Sequence, residues 1–194
     1  MQLNGIRRMI GGYMDSLKNI IETIEDADLK TKIEKAYDEV FIEFKTKPAA
    51  VRFHHTFPGG LLQHTTEVVN IALDMYNSNP ELYKCSKDDV ILVSFIHDFN
   101  KLYKYCDETE QWKRKKGQLF GYANNISMAE TAETVWRCYE MGLSLTELQI
   151  NGVSYHHGGW AEGGAVNSGM MTPLGVLLHA ADMLSVVCFG SKNE

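Results

Sequence analysis

Very little in this sequence interrupts a helix. Four prolines occur in 194 residues, and no low-complexity tract, internal repeat or linker divides the chain. No segment alternates apolar and polar residues convincingly enough to read as a strand. No stretch approaches the roughly 18 apolar residues of a membrane span. The longest apolar candidates are broken by His97 and Asp98 in one case and by His179 and Asp182 in the other. The opening MQLNGIRRMIGGYMDSL carries two arginines but lacks the long apolar run of a secretory signal. The four cysteines, Cys85, Cys106, Cys138 and Cys188, are scattered, without the close pairing of a zinc knuckle or a redox motif. Free thiols in a reducing cytoplasm are therefore expected. A formal charge of −6 argues against a broad nucleic-acid grip, though it leaves room for a local basic site. The length suits one domain with a substantial core. A hydrophobic fraction of 44% and a charged fraction of 23% are those of an ordinary globular protein.

What is present is helical periodicity, and an all-α fold of about six or seven helices follows. Residues from about Asp15 to Lys45 place Leu17, Ile20, Ile21 and Ile24, then Ile33, Ala36, Tyr37, Val40 and Phe41, at helical spacing. A break is expected near Asp26 to Asp28, and Lys47-Pro48 stops the second helix. The Pro58-Gly59-Gly60 turn precedes a helix from Leu61 to Tyr76. Ser86 is placed to cap a helix from Lys87 to Phe99. Residues 103 to 122 read as an exposed segment with a turn, holding Trp112 and the run Lys113-Arg114-Lys115-Lys116. A helix from Ser127 to Met141 is expected to open with a capping box of Ser127 and Glu130. Another runs from Ser144 to His156. Gly158 to Gly169 is a glycine-rich loop carrying Trp160, a candidate for stacking on a base. Thr172-Pro173 marks the start of a last helix that runs to about Phe189.

The seven histidines are His54, His55, His64, His97, His156, His157 and His179. None lies in the first 53 residues, and each sits beside another candidate ligand or at the end of an expected helix. Adjacent helical residues point about 100° apart, so one ion can use both His97 and Asp98 only near a helix end or over its flank. An imidazole with a carboxylate suits Zn, Mn, Fe, Ni or Co. By itself the pair is equally consistent with a buried histidine that merely makes a hydrogen bond. The apolar helix that delivers it makes burial without a partner costly. Lys101, three residues after Asp98, shares its face and can hold a phosphate oxygen beside the ion. His179 and Asp182 are likewise spaced i,i+3 within apolar sequence.

These motifs, in order, are HHTFPGGLLQHT, FIHDFNK, YHHGG and LLHAADML. Together they resemble the HD phosphohydrolase superfamily, and within it the HD domain of bacterial 3′–5′ exoribonucleases and of some conjugative relaxases. The resemblance spans about residues 52 to 188. It implies a chain-long HD-type domain, with N-terminal helices over 1–50 and an HD core over 51–190. It also implies His64, His97, Asp98 and Asp182 as ligands of a divalent transition ion. One ion is expected, and His156 or His157 could support a second. Lys101, His156 and His157 are then the catalytic candidates. His55, His179 and Trp160 are weaker substrate-binding candidates. The sequence departs from the family twice. Asn100 replaces a glycine after the His-Asp doublet, and Tyr122 stands where many binuclear members carry a ligand histidine.

Three functions follow. The first is metal-dependent hydrolysis of a phosphate ester or anhydride in a nucleotide or nucleotide-derived substrate. The second is an HD nuclease on single-stranded RNA or DNA. The exoribonucleases of that branch carry an OB-type domain that these residues do not contain, which favours the smaller substrate. The third is a non-catalytic HD-fold binding protein, motivated by Asn100 and Tyr122. A cytoplasmic protein that acts on nucleotides or oligonucleotides, away from membranes, and that could oligomerise, is the combined expectation.

Overall fold

The computed structural model describes residues 2–123, 128–158 and 168–189, with side chains from residue 12 onward. Helix α1 (Gln2–Ile21) begins well before the Asp15 expected from periodicity, because Gly5, Gly11 and Gly12 dilute the apolar pattern without ending it. The break before α2 (Ala27–Thr46) falls where expected. Asp26 caps α2 by accepting hydrogen bonds from the backbone N–H groups of Asp28 and Leu29, each at 2.9 Å. Asp88 accepts from the backbone N–H of Glu25 and of Asp26, which pins this turn to the start of a later helix. Lys47, ahead of Pro48, turns extended and ends α2.

Next come α3 (Gly60–Ser78), the single turn α4 (Pro80–Tyr83) and α5 (Lys87–Ile96). Ser86 and Asp89 form a reciprocal capping box at the start of α5. The expected continuation of α5 to Phe99 does not occur. The helix ends at Ile96, Asp98 adopts φ −110° and ψ 20°, and α6 (Phe99–Lys104) starts afresh. Helix α8 (Glu130–Glu140) starts later than Ser127, with Ala129 at its N-cap and no side-chain cap; Ser127 lies outside the described residues. Helix α9 (Glu147–Tyr155) opens with a capping box of Thr146 and Gln149. Helix α10 (Pro173–Leu184) opens on Thr172 and Pro173 and widens into a π-helical turn over Ser185–Phe189.

The all-α class holds, with one small addition. Strands β1 (Tyr105–Asp107) and β2 (Phe120–Tyr122) pair antiparallel, with Tyr105 opposite Tyr122 and Asp107 opposite Phe120. The short helix α7 (Gln111–Lys115) sits in the connection between them. Three-residue strands are too short to show an alternation in sequence.

Helix α3 is central and packs against α1, α2, α5 and α10, while α9 packs against α5 and α10. Phe44, Phe95 and Phe99 interlock at the base of this core, with ring centroids 4.9 to 6.1 Å apart. Among the described residues no helix is long and apolar enough to cross a membrane.

The entry to α3 depends on glycine. His55 adopts φ 47° and Gly59 φ 83°, and a Cβ on Gly60 would meet the His55 carbonyl oxygen at 2.0 Å. Backbone cannot yield there as a side chain could. Gly60→Ala is expected to cost more than about 2 kcal/mol, or a melting temperature lower by roughly 5 °C or more. Gly12→Ala, with nothing near its Cβ, should instead gain about 0.5–1 kcal/mol by helix propensity. Thermal melts of the two variants check both signs.

Candidate metal centre

Two helix ends deliver histidines by the same device. His97 follows the last residue of α5, and its Nδ1 lies 2.7 Å from the carbonyl oxygen of Ser94. His156 follows the last residue of α9, and its Nδ1 lies 2.6 Å from the carbonyl of Val153. A carbonyl only accepts, so each Nδ1 carries a proton and donates it to a carbonyl near the helix end. Each Nε2 is therefore left with a lone pair facing inward. His64, one turn into α3, is fixed similarly. Its Nδ1 is 2.9 Å from Ser185 Oγ, and that hydroxyl donates onward to Glu67 Oε2 at 2.8 Å. The Ser185 oxygen thus accepts from His64, and the third Nε2 also points inward.

These lone pairs converge on carboxylates. His64 Nε2 lies 3.1 Å from Asp182 Oδ1 and 3.4 Å from Asp98 Oδ2. His97 Nε2 lies 3.3 Å from His64 Nε2 and 3.3 Å from Asp98 Oδ2. The break between α5 and α6 is what lets neighbouring His97 and Asp98 face one point. On the far side of the Asp98 carboxylate, Oδ1 looks toward His156 Nε2 at 3.8 Å. Both of those atoms are buried and have no hydrogen-bond partner among the described residues. His64, His97 and Asp182 form one group with metal-ligating spacing, and Asp98, His156 and His157 form another. Asp98 thus offers one oxygen to each group.

The electrostatics follow from this crowding. Burial alone would lower the His64 imidazole, but hydrogen bonds to Asp182 and Asp98, and their charges, raise it to about 9. Two carboxylates call for a cation at His64 Nε2, and either a proton or a divalent ion satisfies them. Burial opposes charge on Asp98, yet Lys101, His97 and His156 hold it well below the ordinary carboxylate range. Burial likewise works against Asp182, which His64 keeps ionised. Lys101 Nζ, almost fully buried, sits 2.7 Å from Asp98 Oδ2 and stays protonated.

Of the residues expected from sequence, His64, His97, Asp98, Asp182, Lys101 and His156 are brought together. His157 joins Asp98 and His156 in the second group, and its Nδ1 also lies 3.4 Å from Glu130 Oε2. That contact, with Lys104 on the same carboxylate, holds Glu130 at about 2. His55 is completely buried and bonded to Glu67 at 3.0 Å. His179 donates from Nδ1 to the His156 carbonyl at 2.6 Å. Its ring occupies the space where a Cβ on Gly158, at φ 57°, would lie only 2.5 Å from His179 Cε1. His179 thereby seats the His156–Gly158 turn, and glycine is required opposite it. Trp160 lies outside the described residues. Asn100 is buried and Tyr122 is exposed on β2.

Glu67, three residues after His64, is readable from sequence either as an outer partner of that histidine or as simply exposed, whereas Ser185 and Glu130 are not marked there as part of the site. Glu67 and Ser185 each lie three residues beyond a ligand candidate, His64 and Asp182, so helical spacing carried a signal for both. Glu130 carried none, because only folding brings α8 to His157.

The group opens into a pocket of about 830 Å3. His54, Lys101, His157 and Asp182 form its floor. Phe53, Tyr105, Tyr122, Lys104 and Arg52 stand around it. Burial drives His54 down to about 3 and Tyr105 up to about 12, so both are neutral near pH 7.

Two curated proteins resemble the chain over most of its length. The dihydroneopterin 2′,3′-cyclic phosphate phosphodiesterase of Methanocaldococcus jannaschii is 26% identical over 157 residues, covering 75% of this chain and 59% of that protein. The 3′–5′ exoribonuclease YhaM of Oceanobacillus iheyensis is 28% identical over 159 residues, covering 77% of this chain and 44% of that protein. The resemblance to HD-type phosphohydrolases holds. The chain spans about half the length of these relatives. No family model matches it, and no solved structure matches it significantly.

Ser185→Ala would leave His64 Nδ1 without its acceptor. Loss of such an outer partner is expected to weaken Mn binding roughly tenfold or more. Calorimetric titration of wild type and variant checks this; equal affinities would mean that the Ser185–Glu67 relay does not orient His64.

Proposed function

We propose that this chain is a divalent-metal-dependent phosphodiesterase acting on a nucleotide-derived substrate. The observation that carries the reading is the unpartnered pair Asp98 Oδ1 and His156 Nε2, buried beside the inward Nε2 atoms of His64 and His97. Polar atoms so placed are costly without a donor or a cation, and acceptors gathered among imidazole nitrogens and carboxylates suit a divalent cation. Nitrogen and carboxylate donors suit Mn, Fe, Co, Ni or Zn. His64, His97, Asp98 and Asp182 would hold the first ion. His156 and His157 would hold a second with the other oxygen of Asp98. When bound, such an ion supplies Lewis acidity and charge neutralisation at a phosphoryl group.

The protein's own groups do the positioning. Lys101, protonated and immobilised by Asp98, places positive charge at the pocket floor for a non-bridging phosphate oxygen. Lys104 and Arg52 extend that charge outward. Phe53, 86% exposed, and Tyr122, 66% exposed, offer flat faces for a heterocyclic base. A pocket of this volume accommodates one nucleotide-sized unit. The relatives' names, a cyclic-phosphate phosphodiesterase and an exoribonuclease, fit the same bond.

The test is hydrolysis of bis(p-nitrophenyl) phosphate and of nucleoside 2′,3′-cyclic phosphates with Mn present. Activity should vanish with chelator and return with Mn. His97→Ala and Asp182→Ala should each lower kcat roughly a hundredfold or more. Absence of Mn-dependent turnover on every phosphodiester would leave a binding protein.

A further inference from the structure

The hairpin arm has walls in two cavities. Its base, Tyr105 and Tyr122, lines the large pocket over the metal centre. Its tip lines a second cavity of about 430 Å3, with Trp112, Lys113 and Lys116. Val51 and Arg52 line both, so a single stretch of backbone separates the two. We propose that the second cavity holds the next nucleotide of a single-stranded oligonucleotide whose adjoining phosphate lies at the metal centre. This rests on the phosphodiesterase reading above.

The chemistry of the wall matches a base–phosphate–base repeat. Trp112 is 55% exposed, and its indole Nε1–H is tied to Glu110, which fixes the ring. Lys113 and Lys116 lie with Nζ 5.5 and 5.2 Å from the indole centre. Lys113 is neutralised by Glu108 and Glu110. Among the described residues, Lys116 and Arg52 have no carboxylate partner. Arg52 donates from Nε to Gln118 Oε1 at 3.2 Å, and both residues line the second cavity. An aromatic face therefore stands on each side of a cation: Tyr122 inside, Arg52 between, Trp112 outside. A single strand presents the same order of flat bases and intervening charge, and base–aromatic stacking is tolerant of sequence. On a chain of net charge −6, the side chains of Lys116 and Arg52, which have no carboxylate partner among the described residues, place positive charge beside these aromatic faces, as a phosphate linkage requires.

The probe is a 5′-fluorescein hexauridylate, titrated by anisotropy against wild type, Trp112→Ala and Lys116→Ala over a range of salt. Trp112→Ala is expected to weaken binding about tenfold. Lys116→Ala should lower the slope of log K against log salt by about one, a change that loss of packing alone would not produce. Under Mn, the ratio of kcat/KM on the hexamer to that on bis(p-nitrophenyl) phosphate should fall about tenfold in Trp112→Ala. No binding by wild type, or equal affinity and slope in all three proteins, overturns the proposal. Oligonucleotide binding without turnover of either substrate would instead overturn the phosphodiesterase reading and leave the second cavity standing.

Discussion

The Asp98 carboxylate is the group on which the rest of the architecture turns. An ionised carboxylate buried at the meeting of α3, α5, α9 and α10 is tolerable only when surrounded by positive charge or donors. Lys101 serves one oxygen directly. The other oxygen faces an imidazole nitrogen too distant for a hydrogen bond and otherwise unsatisfied. The fold therefore stores, beside Asp98, a demand for cations that its own side chains only half meet. A divalent ion would answer that demand, and the same negative field that would hold it raises His64 toward protonation.

Backbone economy explains how so many candidate ligands reach one point. Helix ends expose carbonyls without internal partners. Here α5 and α9 each terminate on a histidine that bonds a carbonyl three residues back, so one contact finishes the helix, selects the tautomer and aims Nε2. The outer layer repeats the logic at a distance. Glu67 gathers His55, Gln63 and Ser185, and Ser185 orients His64. His179 anchors the turn after His156 and leaves room only for glycine at 158. Conserving ligand direction thus involves residues that never approach the pocket.

Much of this was legible in the sequence for identifiable reasons. Helical periodicity, Ser86, Thr172-Pro173 and Lys47-Pro48 located helix boundaries because capping and proline act locally. The inward gathering of His64, His97, Asp98 and Asp182 was foreshadowed by polar ligands embedded in apolar helices, which cannot be solvated. What escaped was non-local or too short. The break at His97-Asp98 depends on an imidazole bonding Ser94. The three-residue strands carry no periodic signal. Glu130 meets Lys104 and His157 only after α8 packs on α6 and α9. The Lys113–Lys116 run reads in sequence either as a solvated face or as a guide for a polyphosphate or nucleic acid, and only the hairpin shows that its tip borders the same wall as the large pocket.

The central claim is that a divalent ion joins these buried ligands, and metal stoichiometry tests it most directly. Elemental analysis of purified wild type, loaded with Mn and desalted, should give one to two ions per chain, and Asp98→Ala should retain close to none. Wild-type protein that takes up no Mn, Fe, Co, Ni or Zn would contradict the account. So would an Asp98→Ala variant that binds as much metal as wild type.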